Sequence, residues 1–191
     1  VCYELEVSGL LGGHSGGEIH KERGNSNCIL GRLLWKLSEK MPVGLVSVDG
    51  GLADNAIPRQ TKAVVVVEEK DAESLEQQVA ALAAELGDEL ATKDPDVKVT
   101  AKRLADTAET ITCAAPEETK RVAAFLQATP NGVQAMSADM PGLVQTSLNL
   151  GILKADAEVL RAEYSVRSSV ESEKDNLIAK LSALVELTGG D

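Results

Sequence analysis

The 191-residue chain is acidic and poor in aromatic side chains, with a formal net charge of −11 at pH 7 and 2% aromatic residues. This charge argues against nucleic acid or an anionic membrane as a partner, because phosphate groups would be repelled. No apolar run is long enough to span a bilayer, and the length suffices for one domain or two small ones with an aliphatic core.

The three cysteines, Cys2, Cys28 and Cys113, are odd in number and far apart in the sequence. This pattern does not favour a disulfide framework and is typical of reduced thiols used as small apolar side chains. Because no leader-like segment opens the chain either, we expect a cytoplasmic protein. The start at Val1 inside a strand pattern and the end at Asp191 just after a helix suggest a domain excised from a longer chain.

The first half of the chain alternates strand and helix patterns. Residues 3–7 alternate apolar and polar side chains, as a strand with one buried face does. A helix is predicted to follow, with Asn25 or Ser26 as its N-cap and Pro42 after its end. The remaining predicted elements are strands at residues 45–48 and 63–67, a helix at 75–90 and a strand at 97–101.

The second half repeats this plan without a closing strand. Its predicted elements are a short strand at residues 110–113, a helix from Pro116, a strand pair at 144–152 and 159–166, and a final helix at 177–185. The order indicates an α/β (α+β) fold of two tandem ferredoxin-like β-α-β-β-α-β sandwiches, with mostly antiparallel sheets and helices on one face. We assign residues 1–104 to the first half and 105–191 to the second, with joints at 88–96 and 104–109.

Both histidines lie in the glycine-rich segment GLLGGHSGGEIH at residues 9–20. Glycines free the backbone and leave the imidazole of His14 uncrowded, and an imidazole can donate or accept a proton near neutral pH. The same glycines would also suit a simple turn with His14 in solvent. His20 has no evident partner and is expected to be exposed.

Three further segments carry turn-like motifs: GGLADNAIPR at residues 50–59, TPNGV at 129–133, and TSLNLG at 146–151 followed by Arg167 and Ser168. Asn-Gly and Gly-Gly occur in many loops, so each segment alone is a weak signal. The occurrence of all the segments in this order is the stronger evidence. Together with GGHSG at residues 12–16, they resemble the lid domain of aminoacyl-histidine (Xaa-His) dipeptidases, a branch of the dizinc M20 metallopeptidases. The resemblance covers nearly the whole chain.

The resemblance implies the lid and dimerisation domain of a cytosolic dizinc dipeptidase that hydrolyses Xaa-His and other dipeptides. At the matching positions, it implies that His14 stabilises the oxyanion of the scissile carbonyl and that Arg167 binds the substrate carboxylate. Asn55 and Asn149 are further candidates for substrate binding. From the residues alone, Arg167 could equally lie with Arg161 on a solvated polar face of a strand.

A catalytic zinc site needs several convergent His, Asp and Glu ligands, and the sequence does not offer such a set. His14 and His20 lack an HExxH, HxD or paired-glutamate context, and the adjacent Glu117 and Glu118 start a helix, where they suit the helix dipole. No nucleophile elbow or reactive-cysteine motif is present. We therefore expect no metal or cofactor in this chain, two zinc ions in the catalytic domain of the parent enzyme, and no hydrolysis by this chain alone.

Two other functions remain open from the sequence. The chain could be a pure dimerisation module whose sheets extend edge to edge, or an amino-acid-binding regulatory domain, because paired ferredoxin-like units also serve that purpose. The expected partners are the parent's own catalytic domain, a second copy of the chain and a dipeptide substrate. Exposed strand edges and Trp35 are the candidate dimer contacts.

Overall fold

The computed structural model describes residues 1–105 and 110–190. The elements of this part, in chain order, are β1 (Cys2–Ser8), β2 (Gly13–His14), α1 (Ser26–Ser38), β3 (Gly44–Gly50), β4 (Ala56–Ile57), β5 (Thr61–Val66), α2 (Ala72–Glu89), β6 (Lys98–Arg103), α3 (Pro116–Ala128), β7 (Gly132–Met136), β8 (Val144–Ala155), β9 (Leu160–Ser168) and α4 (Glu171–Leu187). Single turns of 3-10 helix lie at Ile19–Lys21 and Glu69–Asp71.

All strands except β2 and β4 form one sheet, in the order β6-β1-β5-β3-β8-β7, with β9 on the other edge of β8. Every pairing in this sheet is antiparallel. Strand β8 is long enough to hold two neighbours on one edge, because β7 pairs with its first part and β3 with its last residues. The pairing of Val48 with Ala155 and of Gly50 with Leu153 thus joins the two halves in a single sheet.

The hydrophobic core lies on one face of this sheet, under the helices. In β1, Tyr3, Leu5 and Val7 are buried while the residues between them are half-buried, as the alternating sequence predicts. Residues from α1, α2 and α3 complete the same cluster, and α4 adds partly buried residues to it. The predicted mixed α/β fold, mostly antiparallel with helices on one face, is confirmed.

Helix α1 begins and packs as the sequence predicts. Asn25 is its N-cap, and the side-chain Oδ1 of Asn25 accepts hydrogen bonds from the backbone N–H groups of Asn27 and Cys28. A Cβ at Gly31 would lie 2.5 Å from the Cβ of Leu126, so the missing side chain lets α1 and α3 pack closely. The packing of α3 on α1 ties the second half of the chain to the core of the first.

The second half differs from the predicted order of elements. Residues 110–113 form no strand, and β7 is a strand where only a turn was predicted, so the observed order is α-β-β-β-α rather than β-α-β-β-α. The edge of β3 explains the first difference. The backbone O of Leu45 accepts a single hydrogen bond from Ala114 N, and Leu45 N donates to the hydroxyl of Thr119. The backbone groups of Leu45 are therefore not available for the regular hydrogen bonds of a further strand.

The division into residues 1–104 and 105–191 stays a prediction. Of its two joints, residues 88–96 span the end of α2 and the turn that follows, and residues 104–109 fall partly on 106–109, outside the described residues. None of the helices in the described part of the chain is long and apolar enough to cross a bilayer.

Candidate functional site

Two of the motif segments, far apart in the sequence, meet the start of α1 in a cluster of asparagines. The side-chain Nδ2 of Asn25 donates to Asn149 Oδ1 at 3.2 Å, to Leu150 O at 3.0 Å and to Asn131 Oδ1 at 3.3 Å. Asn131 Oδ1 also accepts from Leu150 N at 2.9 Å. These bonds hold the start of α1, the turn before β7 and the middle of β8 together, because buried polar groups are costly to leave unpaired.

Asn149 extends this cluster to the loop between β3 and β5. Its side chain is 0% exposed, and its Nδ2 donates to Asp54 O and to Ala56 O, each at 2.9 Å. The loop packs on β8 backbone to backbone: a Cβ at Gly51, whose φ is +79°, would lie 1.8 Å from the O of Gly151. The amide group of Asn149 is therefore hydrogen-bonded to the loop that carries β4.

Strand β4 in turn positions the histidine segment. His14 lies in β2 opposite Ala56, and Ser15 N donates to Asn55 O at 2.8 Å. The side chains of His14 and Asn55 are both exposed next to each other on this small ribbon. A chain of contacts thus runs from Asn149 through β4 to His14.

The hydrogen bonds of His14 assign its tautomer. Its Nδ1 accepts from the backbone N–H groups of Gly16 at 3.0 Å and Gly17 at 3.2 Å. A ring nitrogen that accepts hydrogen bonds carries no proton, so we assign the proton of the neutral imidazole to Nε2. Nε2 has no protein partner among the described residues and is free to donate to a ligand.

A carboxylate braces the backbone of the same segment. Glu18 accepts from His14 N at 3.0 Å, from Lys21 Nζ at 2.8 Å and from Arg23 Nη1 at 3.2 Å. Arg23 also donates to Gly12 O at 2.6 Å. The hydrogen bond from Lys21, followed by that from His14 N, lowers the pKa of Glu18 to about 2.

Asp94 binds both ends of the histidine segment, and the sequence alone does not predict this role. Its carboxylate is 0% exposed, with Oδ1 accepting from Leu11 N at 2.7 Å and Oδ2 accepting from Gly24 N at 2.6 Å. No motif marks this residue, which follows α2 in a turn and lies 70 residues or more from both partners in sequence. It closes the residues between Leu11 and Gly24 into a loop on which His14 projects.

Arg167 reaches the same place from the other half of the chain. It lies in β9 opposite Ser147, and its side chain is exposed. A Cβ at Gly16 would be 3.1 Å from Arg167 Cζ and 3.1 Å from His14 Cε1, so the guanidinium and the imidazole flank this glycine. An open cleft of about 420 Å³, lined in part by Gly16, Arg167 and Ser147, lies beside them. A fork-shaped cation thus lines a polar cleft, which suits a ligand with a carboxylate, and Gly16, which the imidazole of His14 adjoins, lines the same cleft.

Comparison with known proteins identifies the family. Residues 5–94 match the peptidase dimerisation domain, M20_dimer. Over 187 residues, or 98% of its length, the chain is 33% identical to the cytosol non-specific dipeptidase of Escherichia coli (strain K12). The crystal structure of aminoacylhistidine dipeptidase from Vibrio alginolyticus matches 99% of the chain with a TM-score of 0.91 and 31% identity. Residues 5–94 of the chain belong to the M20 peptidase dimerisation domains.

The chain spans 38% of the length of each of these two relatives. The resemblance to the lid domain of Xaa-His dipeptidases is therefore confirmed, and the match to the solved structure extends beyond residues 5–94 to the second half of the chain.

His20, Trp35 and Cys28 do not line the cleft beside Arg167. His20 is exposed, as predicted, in the 3-10 turn. Trp35 is half-buried, with Lys120 Nζ 5.7 Å from the centre of its ring. Cys28 is held as a thiol, because burial raises its pKa to about 12.

The M20 dipeptidases are metal-dependent, and the described side chains of this domain do not fit a metal site. Across residues 1–105 and 110–190, no three His, Cys, Asp or Glu side chains come together in a way that could hold a metal ion. The two histidines are exposed on a loop whose nearby acid, Glu18, is engaged by Lys21 and Arg23.

Proposed function

We propose that the chain is the lid and dimerisation domain of a cytosolic dizinc dipeptidase that hydrolyses Xaa-His and other dipeptides. The observation that carries this proposal is the approach of His14 and Arg167 to Gly16 from two different halves of the chain. The names of the two relatives, cytosol non-specific dipeptidase and aminoacylhistidine dipeptidase, support the substrate class.

His14 is the proposed oxyanion-stabilising residue. The amides of Gly16 and Gly17 occupy Nδ1, so the ring cannot change tautomer without losing both hydrogen bonds. The Nε2–H group is then a preorganised donor for the negative charge that develops on the scissile carbonyl oxygen. Such a donor contributes most in the transition state, and removing one costs about a hundredfold to a thousandfold in turnover.

Arg167 is the residue proposed to bind the substrate carboxylate. A guanidinium binds a carboxylate through two parallel hydrogen bonds, and no acidic side chain in the described part of the chain forms an ion pair with it. Asn55 is exposed beside His14 and is proposed to contact the substrate directly. For Asn149 we propose an indirect role in substrate binding, because its buried amide holds the loop that carries Asn55.

The partners of the lid follow from the same proposal. The catalytic domain of the parent would hold the two zinc ions, which supply Lewis-acid chemistry there, and no residue of this chain is assigned to them. A second copy of the chain is the expected dimer partner, with the edges of the sheet as contact surfaces. Light scattering should detect self-association of the chain, and a monomer at high concentration would contradict this part of the proposal.

The experiment is a comparison of Arg167→Gln with Arg161→Gln in the full-length enzyme. Arg161 is an exposed arginine on the same strand and serves as the matched control. We expect KM for an Xaa-His dipeptide to rise about 10- to 100-fold in Arg167→Gln only, because hydrogen bonds to a charged group are lost. The C-terminal amide of the same dipeptide, which lacks the carboxylate, should be a poor substrate of both variants. Unchanged KM in Arg167→Gln would contradict the assignment and would favour a pure dimerisation module.

A further inference from the structure

The cleft beside Arg167 holds a second cation, Lys174. This lysine lies in the first turns of α4, and its side chain is exposed. Arg167 and Lys174 line the same space of about 420 Å³, together with the serines Ser147, Ser168 and Ser169. Two positive side chains therefore share one polar cleft in a chain whose formal net charge is −11.

No described acidic side chain neutralises either cation. Several other basic residues are paired, for example Arg32 with Glu85 and Glu89 across two helices. Within residues 1–105 and 110–190, neither Arg167 nor Lys174 forms an ion pair or donates a side-chain hydrogen bond to the protein.

Of the two carboxylates next to Lys174 in sequence, that of Glu173 is engaged elsewhere. Glu173 accepts from Gln145 Nε2 at 2.9 Å and from the hydroxyl of Thr146. These hydrogen bonds, with that of Thr146 the larger cause, lower the pKa of Glu173. Both oxygens of Glu173 are thus bound to β8, and the residue does not line the cleft.

We propose that, among dipeptides other than Xaa-His, the cleft favours those whose C-terminal residue carries an acidic side chain. Arg167 would bind the α-carboxylate and Lys174 the side-chain carboxylate. This inference rests on the proposed function, because it takes the role of Arg167 from there. A single carboxylate would leave one cation without a counter-charge, whereas a dicarboxylate satisfies both. The long, flexible stem of lysine suits carboxylates at different distances, so aspartate and glutamate both fit.

The test uses the 191-residue chain and two probes, glutarate and pentanoate. They have the same number of carbon atoms, and only glutarate carries a second carboxylate. Binding is followed by NMR at constant ionic strength, through the backbone amides of residues 16 and 167. Glutarate should bind about three- to fivefold more tightly than pentanoate, as expected for one additional exposed ion pair. Lys174→Gln should abolish this preference and leave pentanoate binding unchanged, whereas the control Lys180→Gln, an exposed lysine later in α4, should retain it.

The outcomes separate the two proposals. Equal binding of glutarate and pentanoate, or a preference that survives Lys174→Gln, would overturn the inference and leave the role of Arg167 intact. If neither acid binds, or if Arg167→Gln binds both as the unsubstituted chain does, the assignment of Arg167 in the proposed function fails as well. Thermal unfolding of each variant checks that these exposed substitutions leave the fold intact.

Discussion

The imidazole of His14 and the guanidinium of Arg167 both adjoin Gly16, each with an atom 3.1 Å from the position that a Cβ of this glycine would take. One group comes from β2 and the other from β9, and the pairing of β3 with β8 is one of the contacts that bring the two halves of the chain together. The candidate site is therefore a product of the whole fold.

Gly16→Ala tests this spacing. A methyl group there would be closer to both side chains than most Cβ contacts allow, so the imidazole or the guanidinium must shift. We expect turnover of the full-length enzyme to fall about tenfold or more, because small misplacements of oriented groups are costly. Gly17→Ala is the matched control, since no atom lies within 4 Å of its Cβ position. Equal activity of the two variants would show that the spacing at Gly16 does not matter.

Asn149→Ala should destabilise the fold. The substitution leaves Asp54 O and Ala56 O without their donor in a buried place, so the free energy of unfolding should fall by about 2–3 kcal/mol. Asn55→Ala, at an exposed position of the same loop, should change it by less than about 0.5 kcal/mol. Urea denaturation of both variants measures the difference. A loss at Asn149 as small as that at Asn55 would contradict the proposed anchoring role.

Asp94→Asn should loosen the histidine loop at both ends. A carboxamide offers one oxygen to two backbone N–H groups, so either Leu11 N or Gly24 N loses its acceptor, at a cost of about 1–3 kcal/mol. Hydrogen exchange at these two amides should accelerate, and it should not do so in Asp96→Asn, where the side chain is exposed. Unchanged protection of both amides in Asp94→Asn would refute the role of Asp94 as a clamp.

Acid should release the brace on His14. The pKa of Glu18 in the folded chain, about 2, lies below its ordinary value of 4.5, so its stabilising contacts are fully present above about pH 4.5 and are lost as the pH falls through about 2. The NMR shift of the His14 backbone N–H, which donates to Glu18, should titrate with a midpoint near 2. Glu18→Gln should abolish this titration and Glu22→Gln should not. A midpoint near 4.5 would show that Glu18 does not brace the segment.

Local signals in the sequence predicted most of the elements. The N-cap at Asn25 and the alternation in β1 depend on neighbours within a few residues, and both are confirmed. The sequence at Asn131 and Gly132 predicts a turn where strand β7 begins. The pairing of β7 with β8, which has two register shifts, depends on residues distant in sequence and cannot be predicted from the local pattern.

In the candidate site, too, features that depend on neighbouring residues are predicted from the sequence, and contacts between distant segments are not. The glycines around His14 and the position of Arg167 are apparent from motifs, but their approach at Gly16 depends on the register of distant strands. Asp94 makes its contacts over 70 or more residues and belongs to no motif. Asn149 was predicted to contact substrate, and only the fold shows that its amide is bound to two carbonyl groups.

The most direct test of the account is the turnover of His14→Ala in the full-length enzyme, measured beside His20→Ala. Both histidines are exposed on the same loop, so neither change should lower the stability of the chain by more than about 1 kcal/mol. We predict that kcat falls about a hundredfold or more in His14→Ala, with KM and zinc content little changed, and that His20→Ala retains normal turnover. Normal turnover in His14→Ala, together with a large loss of stability of the chain, would instead make His14 a structural residue.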